Sequence, residues 1–165
     1  MESRAGSDAE TGTASVALGP RHRAWVLAVF WIYVAAVAAV TVAPTGVHRR
    51  HREPWWSVVQ LVPLHVPPVS FVLNIAMFVP FGLLVPLLWP RAGSIGRVAG
   101  LSLAASTVIE LTQLALWLTL GNHRTVDVND LIANTVGGVL GLIVLRFAVT
   151  RSRTSSDMSQ SEEGL

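Results

Sequence analysis

The sequence predicts an all-α, polytopic membrane protein: a bundle of four transmembrane helices with disordered polar tails. Three observations predict it. Four apolar stretches each reach about the twenty residues an α-helix needs to cross a hydrocarbon core roughly 30 Å thick. Charged residues make up only 13% of the 165-residue chain, against 52% hydrophobic, about half the charged share of an ordinary soluble domain. Mean hydropathy is +0.53, which favours membrane over globular class. Within lipid every backbone N–H and C=O must be satisfied inside its own segment, so the four stretches should be helices.

The first is "AWVLAVFWIYVAAVAAVTVA", residues 24–43, uncharged and closed by Pro44. It reads as a span rather than a signal peptide. Its apolar run is too long, a long polar segment precedes it, and Pro44 follows the small residues where cleavage would fall. The second, "VSFVLNIAMFVPFGLLVPLLW", covers 69–89. Pro80 and Pro86 should kink it rather than end it. The third, "VAGLSLAASTVIELTQLALWLTL", covers 98–120, and the fourth is expected over 128–150. Together they define one membrane domain, 24–150. Residues 1–22 and 151–165 are small and polar, bury little, and read as disordered tails. Between the first two spans, Trp55 and Trp56 suit a membrane interface. The prolines of "QLVPLHVPP" oppose a long helix there.

All twelve basic residues are Arg, and the net charge is only +2 despite a pI near 10.4. The arginines are scattered beside apolar segments, so no nucleic-acid partner is expected. The chain lacks Cys, which excludes disulfides, thiolate metal sites and thiol catalysis. No cofactor or metal is implied: His48, His51 and His123 lack a ligand spacing. Arginine counts favour a multi-pass protein of the cell membrane with both termini cytoplasmic. On that topology Arg21, Arg23, Arg91, Arg97, Arg151 and Arg153 flank the inner ends, and Arg49, Arg50, Arg52 and Arg124 the outer loops.

An ionisable residue inside a membrane span is a functional candidate. Glu110 lies ten residues before Leu120, roughly 15 Å below the end of its helix. It escapes the cost of a buried charge either by protonation or by facing a polar partner. At about 100° per residue, Ser102, Ser106, Glu110, Gln113 and Trp117 fall within an arc of roughly 80°, while the opposite face is aliphatic. That stripe favours a partner inside the bundle. On the fourth span Asp127, Asp130 and Asn134 share a face with Gly137 and Gly141, a G-x-x-x-G pair that admits a close neighbour. Asn74 lies near the start of the second span. Span two starts, span three ends and span four starts on one side of the membrane. Asn74, Glu110, Gln113, Asp127, Asp130 and Asn134 are thus expected to form a polar funnel with Arg124 at its mouth.

Each residue also has a plainer role. Asn74 and Gln113 can serve as hydrogen-bonding glue between helices. Asp127 can start its helix, with Asp130 in the first turn. Arg124 can anchor at the interface.

These residues resemble a known pattern. The blocks "NIAMFVPFGLLVP" (74–86), "STVIELTQ" (106–113) and "HRTVDVNDLIANTVGGVLG" (123–141) resemble the VanZ-like family of small bacterial membrane proteins. "QLVPL" at 60–64 is similar to that family's Asn-Leu-Ile-Pro-Phe entry, with Gln60 and Leu64 in place of Asn and Phe. The matching positions are Asn74, Pro80, Gly82, Glu110, Gln113, Arg124, Asp127, Asp130, Asn134 and Gly137. The resemblance implies a polytopic membrane protein and, through the family's namesake, low-level resistance to the glycopeptide teicoplanin.

Three functions compete. The first is a non-enzymatic cell-envelope factor that binds a lipid-linked or peptidic envelope ligand, or a membrane-protein partner. The second is an intramembrane enzyme acting on a lipid or lipid-linked phosphate, with Glu110, Asp127 and Asp130 as catalytic candidates: the Asp127–Asp130 spacing with Glu110 could hold Mg²⁺, which prefers oxygen ligands, and a protonated Glu110 could act as general acid. No nucleophile accompanies them, since Ser106 lacks a His partner. The third is a small proton-coupled transporter or flippase using Glu110; four helices are few for alternating access, so it requires a homo-oligomer. Leaning away from an enzyme, the sequence favours the first.

Overall fold

The computed structural model describes residues 19–43, 59–60, 62, 67–120 and 126–163, with the side chains of 59, 60, 120, 126 and 153–163 not described. Four helices dominate: α1 (Pro20–Val42), α2 (Pro68–Leu88), α3 (Ile95–Leu120) and α4 (Val128–Glu163). All four are long and apolar enough to cross a membrane. The expected starts at 24 and 98 move outward by three or four residues. Pro20 at the first position of α1 explains one shift, because its missing N–H costs nothing there. Ser94 explains the other: its Oγ accepts the Arg97 N–H at 3.4 Å in the geometry of a helix cap. Helix α2 begins at Pro68 and runs through Pro80 and Pro86 without ending.

Two differences from expectation stand out. Helix α4 does not stop near 150 but continues to Glu163, into the stretch read as a disordered tail. Between Gly141 and Gly164 the sequence holds neither Gly nor Pro, so nothing local ends the helix once it has left the apolar span. The second difference is a short parallel pairing of β1 (Val59–Gln60) with β2 (Val126–Asp127), Val59 opposite Val126 and Gln60 opposite Asp127. It ties the chain entering α2 to the chain entering α4.

The core of the bundle is α2 against α4. They run parallel and almost touch backbone to backbone. A Cβ at Gly137 would overlap the carbonyl oxygen of Ile75, one at Gly141 that of Val79, and one at Gly82 that of Gly138. In lipid no hydrophobic force separates helix from solvent, so close van der Waals contact of this kind drives association. Phe78, Val85, Leu88, Ala133 and Leu142 are buried around the seam. Helix α3 packs antiparallel on α4, with Ser102 Oγ lying where a Cβ of Gly138 would be. Helix α1 runs antiparallel to α2 and is peripheral: Phe30 meets Trp89 edge-on at 5.6 Å, and the Tyr33 hydroxyl donates to the Met77 carbonyl at 3.0 Å. Trp25, Trp31 and Ile32 on its outer side stay exposed, as a lipid-facing surface should.

Candidate functional site

The polar residues of three helices gather at one end of the bundle, where α2 begins, α3 ends and α4 begins. Ser102, Ser106, Glu110 and Gln113 are all buried on α3, so the polar stripe faces inward as its spacing requires. The aliphatic positions Leu103, Val108 and Leu111 are exposed on the same helix.

Glu110 is 3% exposed, and its Oε2 accepts the backbone N–H of Asp127 at 3.1 Å. Asp127 in turn caps α4. Its Oδ1 accepts the Asn129 backbone N–H at 2.9 Å and the Asn129 side-chain amide at 2.7 Å. That is an N-cap aspartate satisfying one of the orphan donors of the first helical turn. Asn129 then reaches back across the fold: its Nδ2 also donates to the Val62 carbonyl at 3.0 Å. The chain at Val62 is thereby fastened over the start of α4.

Two further links join the helices. The Asn74 side-chain amide on α2 donates a short hydrogen bond to Asp130 Oδ1 on α4. One turn deeper, Asn134 Nδ2 donates to Ser106 Oγ at 2.8 Å. The Asn134 Oδ1 and the Ser102 hydroxyl are buried with no hydrogen-bond partner. Ser102 Oγ lies close against Gly138, where a Cβ would be. Asn134 Oδ1 is a buried acceptor that its Nδ2 bond to Ser106 does not satisfy.

Of the residues singled out from sequence, Glu110 and Asp127 share one hydrogen bond, Asn74 and Asp130 a second, and Asn134 bonds Ser106; Gln113 is buried one turn along the same face of α3. Arg124 lies outside the described residues, as do His48, His51, His123, Trp55 and Trp56. The polar stripe extends less cleanly to Trp117, which is only half-buried. Asn129, fully buried, escaped the reading. It is two residues past Asp127, off the 127–130–134 face, and the only signal for it is the Asp-x-Asn spacing of a capped helix start. Among the described residues no three His, Asp or Glu side chains converge as a metal ion would require. Glu110 and Asp127 instead direct oxygens at backbone amides.

The arrangement defines a polytopic α-helical membrane protein with a buried polar cluster at one end of its bundle. A family model described as VanZ/LLP1 matches residues 30–149, and the chain belongs to that family. The match takes in the second half of α1, all of α2 and α3, α4 as far as Val149, and every described residue of the polar cluster. No curated protein and no solved structure matches the chain.

Proposed function

We propose that the protein is a cell-envelope factor that lowers susceptibility to teicoplanin-type glycopeptides. It would act by engaging a lipid-linked or peptidic envelope ligand, or a membrane-protein partner, at the polar end of the α2–α3–α4 bundle. One observation carries this reading: Asn74, Glu110, Asp127, Asp130 and Asn134 converge at a single end of the bundle, and Asn134 keeps a buried acceptor free of any intramolecular partner. Membership of the VanZ/LLP1 family supports the link to glycopeptides. The arginines Arg91, Arg97 and Arg146 at the opposite end support an outward-facing polar end and cytoplasmic termini.

The binding role is favoured over catalysis by how the carboxylates are used. Each has at least one oxygen committed to an internal donor, which suits a preorganised polar surface more than an exposed acid or base. The test is expression in a teicoplanin-sensitive Gram-positive host, with wild type, Glu110→Gln and Asp130→Asn compared at matched membrane levels. The wild type should raise the inhibitory concentration and both variants should lose that gain. An unchanged susceptibility with wild-type protein confirmed in the membrane would sink the reading.

A further inference from the structure

At the end of the bundle opposite the polar cluster, the connection between α2 and α3 is a compact 3-10 turn, Pro90–Ala92, closed by Gly93 N–H to Pro90 O at 3.0 Å. Two arginines from different helices are fastened to it. Arg146 of α4 donates from Nη2 to the Gly93 carbonyl at 2.7 Å. Arg97 of α3 donates from Nη1 to the Arg91 carbonyl. The carbonyls they hold are two residues apart, and Arg91 itself is exposed in the same turn. A guanidinium carries five N–H donors, so each clamped arginine keeps most of its donors for something else.

Nothing described nearby neutralises them. Among the described side chains the carboxylates are Glu110, Asp127 and Asp130, all at the other end of the bundle. The surroundings are apolar and open: Trp89 and Ile95 flank the turn at 47% and 49% exposed, and Phe147 beside Arg146 is 59% exposed. Fixed guanidinium donors beside exposed apolar side chains, at the depth where helices leave the membrane, match one kind of molecule. It carries a phosphate and acyl chains together. Arginine is suited to phosphate because its planar fork offers paired donors.

We propose that the α2–α3 turn, with Arg91, Arg97 and Arg146, binds the phosphate of an anionic phospholipid headgroup, its acyl chains lying against Trp89, Ile95 and Phe147. The competing explanation is that these arginines act only by total charge, as topology determinants. The two differ in whether position matters. Arg21 and Arg23 sit on α1 toward this same end and are not fastened to the turn.

The full chain, purified from mixed phosphatidylglycerol and phosphatidylcholine nanodiscs, is examined by native mass spectrometry for retained lipid. Wild type should retain phosphatidylglycerol over phosphatidylcholine. Arg91→Gln, which leaves both clamps on the turn intact, should lower retention about fivefold, the increment for one basic side chain at an anionic surface. Arg97→Gln/Arg146→Gln should lower it further, and by clearly more than Arg21→Gln/Arg23→Gln, an equal loss of charge that removes only the general attraction to an anionic surface. Equal loss in the two double variants overturns the proposal, as does full retention in Arg97→Gln/Arg146→Gln. Loss confined to that double variant with Arg91→Gln unaffected also overturns it, because the effect then traces to the fold of the turn. So does an equal stabilisation of the lipid-stripped protein by inorganic phosphate and by phosphatidylglycerol.

Discussion

The Glu110 carboxylate accepts a hydrogen bond from the backbone N–H of Asp127, 3.1 Å away and 17 residues along the chain. The deepest acid of α3 is therefore a fastening for the strand-to-helix junction that opens α4. Replacing it with Ala leaves a buried amide N–H without an acceptor, at a cost of about 1–3 kcal/mol. Gln keeps an acceptor oxygen and should cost less. Thermal unfolding in micelles should rank wild type above Glu110→Gln and Glu110→Ala lowest. If Gln preserves stability yet abolishes the glycopeptide phenotype, the carboxylate has a role beyond the fastening.

The glycines divide into two groups with opposite expectations. Gly82, Gly137 and Gly141 sit where a methyl group would overlap the facing helix's backbone. Ala at any of them should force α2 and α4 apart and destabilise the bundle, as small-to-large changes at a tight contact do, by about 1–3 kcal/mol or more. Gly96 and Gly100 on α3 meet nothing within 4 Å. Ala there should be neutral or stabilising by up to about 1 kcal/mol, the helix-propensity difference. Unfolding of the five single variants checks the division; a destabilising Gly100→Ala would mean that its face packs on something.

Asn134 and Ser106 should couple. Their bond at 2.8 Å joins α3 to α4 inside the bundle. Interhelical side-chain bonds in membranes average about 0.6 kcal/mol and reach about 1.7. A double-mutant cycle of Asn134→Ala and Ser106→Ala should return a value in that range. A coupling of zero would show that the pair's energetics lie with other partners.

Asn129→Ala should loosen the entry segment without unfolding the bundle. It removes the bond to the Val62 carbonyl and one of the two held by Asp127 Oδ1, but leaves the backbone cap from Asn129 N–H in place. Amide hydrogen exchange should rise at residues 59–62 and change little in the centre of α2. Faster exchange throughout α2 and α4 would instead place Asn129 among the residues that hold the whole bundle.

Much of this was readable from sequence because lipid simplifies the problem. Any apolar stretch of sufficient length must be a helix, and the stripe Ser102–Ser106–Glu110–Gln113 can only face inward. The G-x-x-x-G pair at Gly137 and Gly141 likewise marked the seam, and the structure adds Gly82 as its counterpart on α2. What escaped was non-periodic. Asn129 gains its role from Val62, 67 residues earlier, and no local spacing encodes that. The β1–β2 pairing is two residues long on each side, too short for any alternation to register. The extension of α4 to Glu163 leaves no apolar signature, because the stretch after 150 is polar, although no breaker is present before Gly164. For α1, uniform apolarity announces a span but cannot say which side meets α2.

The β1–β2 pairing also bears on the order in which the protein assembles. Its two halves, and the Asn129–Val62 and Asn74–Asp130 bonds, link segments up to 67 residues apart. All of them wait for the last span. While α1, α2 and α3 are already threaded into the bilayer, Asn74 has no partner from α4 and the Gly82 face of α2 has only lipid beside it. Arrival of α4 closes the seam, caps its own first turn and latches the entry segment in one step. A chain without α4 would lack every one of these links.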